Sequence, residues 1–156
     1  MLRTSAPLIG AGGSRRHAFA MPPRLRIARP VTDLARTLDM YLKGLGLSRL
    51  GHFSDHDGFD GEMVGAEGTD YHFEFVYYRR HPVKPNPTDE DLIVFYIPDK
   101  GEWAVRCVAM LDAGFREVGS FNLYWAERGR TFEDNDGYRI VVECAEWDPG
   151  AAKDEV

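Results

Sequence analysis

Cysteine is scarce in this chain, since Cys107 and Cys144 are the only two among 156 residues. Neither belongs to a CxxC pair or to another spacing typical of a metal site. With 44% hydrophobic residues, the chain can fill a core without disulfide bonds. The sequence therefore predicts two buried, reduced thiols, as is usual for a cytoplasmic protein.

Long hydrophobic runs and several well-known catalytic motifs are also missing. No apolar stretch approaches the roughly 20 residues that span a membrane. GxSxG, P-loop and HExxH sequences are absent, and the glycines at positions 10 to 13 have no dinucleotide-binding context. No reaction class follows from any of these motifs.

Acidic residues are missing from positions 1–32, which hold six arginines, whereas the remaining chain carries 13 basic and 25 acidic side chains. An acidic body argues against nucleic acid or an anionic membrane as a partner. Residues 1–23 are rich in glycine, proline and arginine and show no periodicity, so they read as a flexible tail or as a misplaced start with Met21 as the true one. A targeting peptide is the third alternative. Residues 148–156 are predicted to form a flexible C-terminal tail.

An internal repeat organises residues 24–147. Each half begins with a strand and continues with a helix, which Thr32 or Asp33 caps in the first half and Asp99 precedes in the second. Three strand-like runs follow, and the first of them is predicted at 48–53 in one half and at 115–121 in the other. The helices repeat the spacing i, i+4, i+7, i+8 in their apolar residues, which are Leu34, Leu38, Tyr41 and Leu42, then Trp103, Cys107, Met110 and Leu111. The prediction is an α+β fold with two tandem βαβββ modules, residues 24–78 and 92–147, joined by a proline-rich linker at 79–91.

Residues 129–143 form the best-defined motif, a strand, an Asn135-Asp136-Gly137 turn and a second strand, which predicts a hairpin. Together with the segments 26–34 and 44–47, this motif resembles the vicinal oxygen chelate superfamily, which includes glyoxalases, bleomycin-resistance proteins and extradiol dioxygenases. The resemblance implies paired modules whose mixed sheets curve around a ligand cavity, often with one divalent metal. It leaves the chemistry open, because the superfamily holds both enzymes and sequestering proteins.

The resemblance also implies where metal ligands would stand. The four positions fall at Arg26 and Leu92 in the first strands and at Glu74 and Val141 in the last strands, so only Glu74 could bind a metal. We expect no metal cofactor, with Arg26 pairing with Glu74 instead. The alternative is one divalent ion on Glu74, His72 and a third group such as His56, or acid-base catalysis by His72 and Glu74. A purely structural role for these histidines is the remaining interpretation.

Aromatic residues on strands and adjoining loops supply candidates for ligand contact. The segment 121–125 is favoured, because it is predicted as a loop that mixes polar and aromatic residues between two strands. The predicted ligand-binding residues are Arg26, Phe59, Tyr96, Asn122, Tyr124 and Trp125.

The sequence thus favours a metal-independent binder of a small organic molecule. A metal-dependent lyase, isomerase or dioxygenase is the alternative, and an assembly module whose cavity is filled by its own aromatics is a third. The cavity could be closed within one chain or shared in a homodimer.

Overall fold

Two strand-helix-strand units follow one another in the computed structural model, which describes residues 23–149. Module one contains β1 (Leu25–Pro30), α1 (Leu34–Leu45), β2 (Ser48–His56), β3 (Phe59–Gly65) and β4 (Tyr71–Tyr78). Module two contains β5 (Leu92–Tyr96), α2 (Lys100–Asp112), β6 (Arg116–Val118), α3 (Tyr124–Arg128), β7 (Gly129–Glu133) and β8 (Arg139–Glu143). The predicted α+β fold of two tandem βαβββ modules is confirmed. Residues 1–22 and 150–156, which hold most of the two predicted tails, lie outside the described residues.

Each module builds its own four-stranded mixed sheet, in the order β1-β4-β3-β2 and β5-β8-β7-β6. The first and last strands of each module pair in parallel, and the other neighbours are antiparallel. The two registers are equivalent, because Ala28 lies opposite Glu74 as Val94 lies opposite Val141. The internal repeat of the sequence is therefore a repeat of strand register.

The helices begin and end where their capping residues predict. The side chain of Asp33 accepts a hydrogen bond from the Arg36 amide at 3.0 Å, and that of Asp99 accepts one from the Glu102 amide at 2.7 Å. Gly46 ends α1 in the left-handed region at φ 64°, a conformation that costs other residues energy because of their Cβ atom.

One hydrophobic core joins the two modules through their helices. The core combines Tyr41 of α1, Met110 of α2, and buried side chains of both sheets. Gly44 permits the close approach, since a Cβ at this position would lie 2.9 Å from the ring of Phe115. Cys107 is a buried free thiol as predicted, whereas Cys144 is only partly buried.

The predicted hairpin turn of module two docks on the start of α1. Tyr41 donates a hydrogen bond to Asp134 at 3.0 Å and accepts one from the buried Arg29 at 3.3 Å. Thr32 and Asp136 bond to each other at the surface. Burial raises the pKa of Tyr41 well above its usual value, so the hydroxyl stays protonated and links the two charged groups. This turn therefore connects the modules as well as the strands.

Three predicted boundaries were wrong. β2 continues to His56 rather than ending at Phe53, because the hairpin turn falls at Asp57 and Gly58. β6 ends at Val118, and the chain then leaves the sheet instead of continuing as a strand to Phe121. The segment predicted as a loop at 121–125 enters a short helix, α3, at Tyr124. Within residues 23–149, no helix is long and apolar enough to cross a membrane.

Candidate functional site

Arg26, His72 and Glu74 lie together on one face of the module-one sheet. Arg26 and His72 are register partners, and Glu74 follows His72 by two residues, so strand alternation places all three side chains on the same face. Arg26 Nη1 lies 2.5 Å from Glu74 Oε2, and its Nε donates a hydrogen bond to His72 Nε2 at 3.0 Å. One arginine therefore binds both side chains predicted as catalytic.

The equivalent face of module two offers no metal ligand at the positions implied by the resemblance. Leu92 is apolar, and Val141 is completely buried. Among the described residues, no three His, Cys, Asp or Glu side chains are grouped to hold a metal ion. The four positions thus hold one ion-paired carboxylate, one guanidinium and two hydrocarbon side chains, and this donor set does not fit a divalent metal.

His56 and Phe59, both singled out from the sequence, lie far from Glu74. His56 is opposite Phe59 at the β2–β3 turn, and Phe59 is opposite Tyr78 at the end of β4. Tyr78 is four residues from Glu74, or about 13 Å along an extended strand. Phe59 stacks on Tyr78 with ring centroids 4.3 Å apart. The structure thus does not bring His56 together with His72 and Glu74.

The predicted residues Tyr96, Asn122, Tyr124 and Trp125 all lie on module two. The Tyr124 and Trp125 rings make an edge contact at 4.9 Å, and Asn122 accepts a hydrogen bond from the Tyr124 amide at 3.1 Å. Burial raises the pKa of Tyr96, with smaller contributions from nearby Tyr124 and Glu143. Tyr96 therefore lies near Tyr124, as a shared ligand site requires.

Glu143, at the end of β8, is the residue that sequence reasoning missed at this site. It lies opposite Tyr96 in the parallel register and follows Val141 by two residues, on the same face of the sheet. Only 1% of the residue is exposed, and Oε2 has no hydrogen-bond partner. The other oxygen, Oε1, is 3.5 Å from Arg128 Nε. The signal was an acidic residue that directly follows three apolar residues of the same strand.

The cover over Glu143 comes from α3 and from the strand that follows it. The helix packs on β7 and β8, and the Cys144 amide bonds to the Arg128 carbonyl at 2.9 Å. Position 129, directly after α3, requires a glycine. A Cβ there would overlap Glu143 Oε2 and lie 2.8 Å from the Trp125 carbonyl oxygen. Burial raises the pKa of Glu143, an effect that Arg128 opposes. We call Tyr96, Tyr124, Trp125, Arg128 and Glu143 the module-two cluster.

Concavities of ligand size border this cluster. One of about 340 Å³ is lined by Tyr96, the rest of β5, Tyr71 and Ile27, so it lies between the first strands of the two modules. Another, of about 400 Å³, is lined by Arg128, Gly129, Cys144 and Trp103. Both volumes fall within the range of small-molecule sites.

Comparison with known proteins identifies the family. Residues 25–76 match the YycE-like N-terminal domain, and residues 90–143 match the YycE-like C-terminal domain. The chain is 41% identical over 127 residues to the protein YycE of Bacillus subtilis (strain 168), which covers 81% of this chain and 91% of YycE. The chain belongs to the YycE-like family. The crystal structure of B. subtilis YycE, a protein of unknown function, superposes with a TM-score of 0.75, covering 80% of this chain and 91% of that one.

More distant solved structures share the fold of this YycE-like chain. The antibiotic binding protein TnmS3 of Streptomyces sp. CB03234 is 21% identical with a TM-score of 0.55, covering 81% of this chain and 98% of TnmS3. The fosfomycin resistance protein FosX of Mesorhizobium loti is 11% identical with a TM-score of 0.63, covering 87% and 100%. At these identities the likeness shows the fold alone. The resemblance inferred from the sequence is thereby confirmed.

Proposed function

We propose that this YycE-like protein binds a small organic molecule at the module-two cluster, without the divalent metal of many superfamily members. The observation that carries the proposal is the contact between Arg26 and Glu74, which joins two of the four metal-ligand positions in an ion pair. The other two positions are the apolar Leu92 and Val141. A carboxylate held by a guanidinium is a poor ligand, because a metal would have to displace the arginine.

The surface around α3 supports binding by contact with aromatic rings. Phe121 is 70% exposed, Leu123 is 76% exposed and Tyr124 is 47% exposed, although all three are large apolar side chains. Adjacent exposed apolar side chains are typical of binding surfaces. The names of TnmS3, an antibiotic binding protein, and FosX, a fosfomycin resistance protein, agree with small-molecule binding.

Metal content is measured first, on the full chain purified without an affinity tag. We expect far less than one equivalent of any transition metal. The second candidate function, a metal-dependent lyase, isomerase or dioxygenase, draws on the shared face of His72 and Glu74. Near one equivalent of metal, lost after Glu74→Ala, would favour that enzyme and contradict the proposal.

Ligand binding is then tested by thermal-shift screening of aromatic metabolites and antibiotics, in the presence of a chelator. We expect Tyr124→Ala to remove the shifts caused by binding compounds. Phe59→Ala is the matched comparison, because Phe59 is also a partly exposed aromatic but lies on module one. Loss of binding in Phe59→Ala with retention in Tyr124→Ala would place the site on module one instead.

The predicted homodimer, the cytoplasmic location, and the lack of nucleic-acid and membrane partners stay predictions. Sedimentation of the full chain over a range of concentrations tests the dimer. If the ligand site is shared between two copies, dissociation on dilution should weaken ligand binding as well.

A further inference from the structure

We infer that Glu143 is the polar anchor of the module-two cluster and that it selects ligands carrying a protonated amine on an aromatic body. This inference rests on the proposed function and names the class of molecule that the site takes.

The first step is the unused hydrogen-bonding capacity of Glu143. Its residue is 1% exposed, and Oε2 has no partner. Buried polar atoms nearly always have a hydrogen-bond partner. A carboxylate oxygen without one therefore indicates that a ligand supplies the missing partner. A carboxylate accepts hydrogen bonds only, so the ligand group must be a donor.

The second step is the charge and shape of the surroundings. Arg128 reaches only Oε1, at 3.5 Å, and its side chain is itself 56% exposed, so it leaves Oε2 available. Tyr96 is the register partner of Glu143, and the rings of Tyr124 and Trp125 belong to α3, the helix that packs on the same strand. A carboxylate beside aromatic rings is chemically suited to an organic cation, which gains both an ion pair and a cation-π contact.

The third step is access. A ligand reaches Oε2 only if α3 shifts. None of the five residues of this helix is buried and no side chain caps its start, which are features of a segment of low local stability. The concavity of about 400 Å³ lined by Lys100, Trp103, Arg128 and Gly129 adjoins α3, and we infer that it takes the uncharged aromatic body of the ligand.

The test compares three probes with one aromatic ring system and different charges: 1-naphthylmethylamine, 1-naphthalenemethanol and 1-naphthaleneacetate. Affinities for the full chain are measured by calorimetry. We expect the amine to bind tightest, and Glu143→Gln to weaken the amine by about tenfold while changing the alcohol little. Glu133→Gln is the matched control, since Glu133 lies on the same face of the sheet but is paired with Arg116 and Arg139.

The pH dependence adds a second readout. The amine stays protonated from about pH 5 to about pH 8, so a rise in its affinity over that interval reports the loss of the Glu143 proton. The other charged or titratable groups nearby are Arg128, Glu127, Tyr96 and Tyr124. Glu127→Gln, which should keep the rise, isolates Glu143.

Equal affinity for the amine and the alcohol, or an amine preference that persists in Glu143→Gln, would overturn the inference. If all three probes bind with affinities that depend on Tyr124 but not on the charge of the probe, the proposed function holds and the inference about Glu143 is wrong. Circular dichroism confirms that each variant is folded, and Glu143→Met provides a second variant that removes the charge.

Discussion

Replacing Glu143 by methionine should make the protein more stable at neutral and alkaline pH. Methionine has a similar length and no polar atoms, so it can occupy the space under α3 without an unpaired oxygen. A buried acceptor without a partner costs about 1–3 kcal/mol. The lost ion pair offsets little of this gain, because the Arg128 side chain is 56% exposed and lies 3.5 Å away, a pairing worth less than about 1 kcal/mol.

The gain should grow with pH. Burial raises the pKa of Glu143 in the folded protein above its usual value of 4.5. An acid whose folded-state pKa is raised stabilises the fold fully below its unfolded pKa and loses that contribution as the pH rises through the folded pKa. Methionine does not titrate, so the two proteins should differ least at about pH 4 and most at about pH 8, where the variant gains about 1–2 kcal/mol.

Urea denaturation of both proteins across this pH range measures the difference in the free energy of unfolding. Glu133→Met is the control, because Glu133 accepts a hydrogen bond from Arg139 at 3.3 Å and its loss leaves a half-buried arginine with one partner fewer. This control should destabilise the protein. A Glu143→Met variant that is less stable at pH 8, or a difference independent of pH, would show that Glu143 Oε2 is paired in solution.

Three other substitutions test separate parts of the structure. Tyr41→Phe removes the hydroxyl between Arg29 and Asp134 and should lower the free energy of unfolding by about 1–3 kcal/mol in urea denaturation; no loss would mean that the turn is not held by this network. Gly46→Ala places a Cβ at φ 64° and should cost about 1 kcal/mol in the same assay, whereas Gly119→Ala, which meets no atom within 4 Å, should be neutral. Arg26→Ala removes the arginine that binds His72 and Glu74. Zinc uptake by this variant, measured by elemental analysis, should still stay far below one equivalent, because two ligands do not make a stable zinc site. Stoichiometric zinc would refute this reasoning.

The fold was predictable because its determinants are local and occur twice. Asp33 and Asp99 start the helices, Gly46 ends the first one, and the apolar spacing of α1 and α2 is the same. The turn at Asn135 and Gly137 fixes the hairpin of β7 and β8. Each of these signals acts within a few residues, so sequence alone could place them.

The site was predictable only in part. The Arg26–Glu74 contact was expected because the family resemblance assigned both residues to metal-ligand positions, and the structure pairs them. Glu143 did not follow, because its importance depends on burial by α3, and that helix was expected to be a loop. Glu143 Oε2 lacks a partner because of tertiary packing, and no local pattern of residues predicts such an effect.

The difference between the modules explains why the candidate site lies on the second one. In module one, two residues, Asp57 and Gly58, connect the second strand to the third. In module two, ten residues, 119–128, connect the equivalent strands β6 and β7, and they include α3. This segment adds Tyr124, Trp125 and Arg128 to module two, and module one has no equivalent of it. The repeat builds the scaffold, and the one segment that departs from it supplies the side chains that can recognise a ligand.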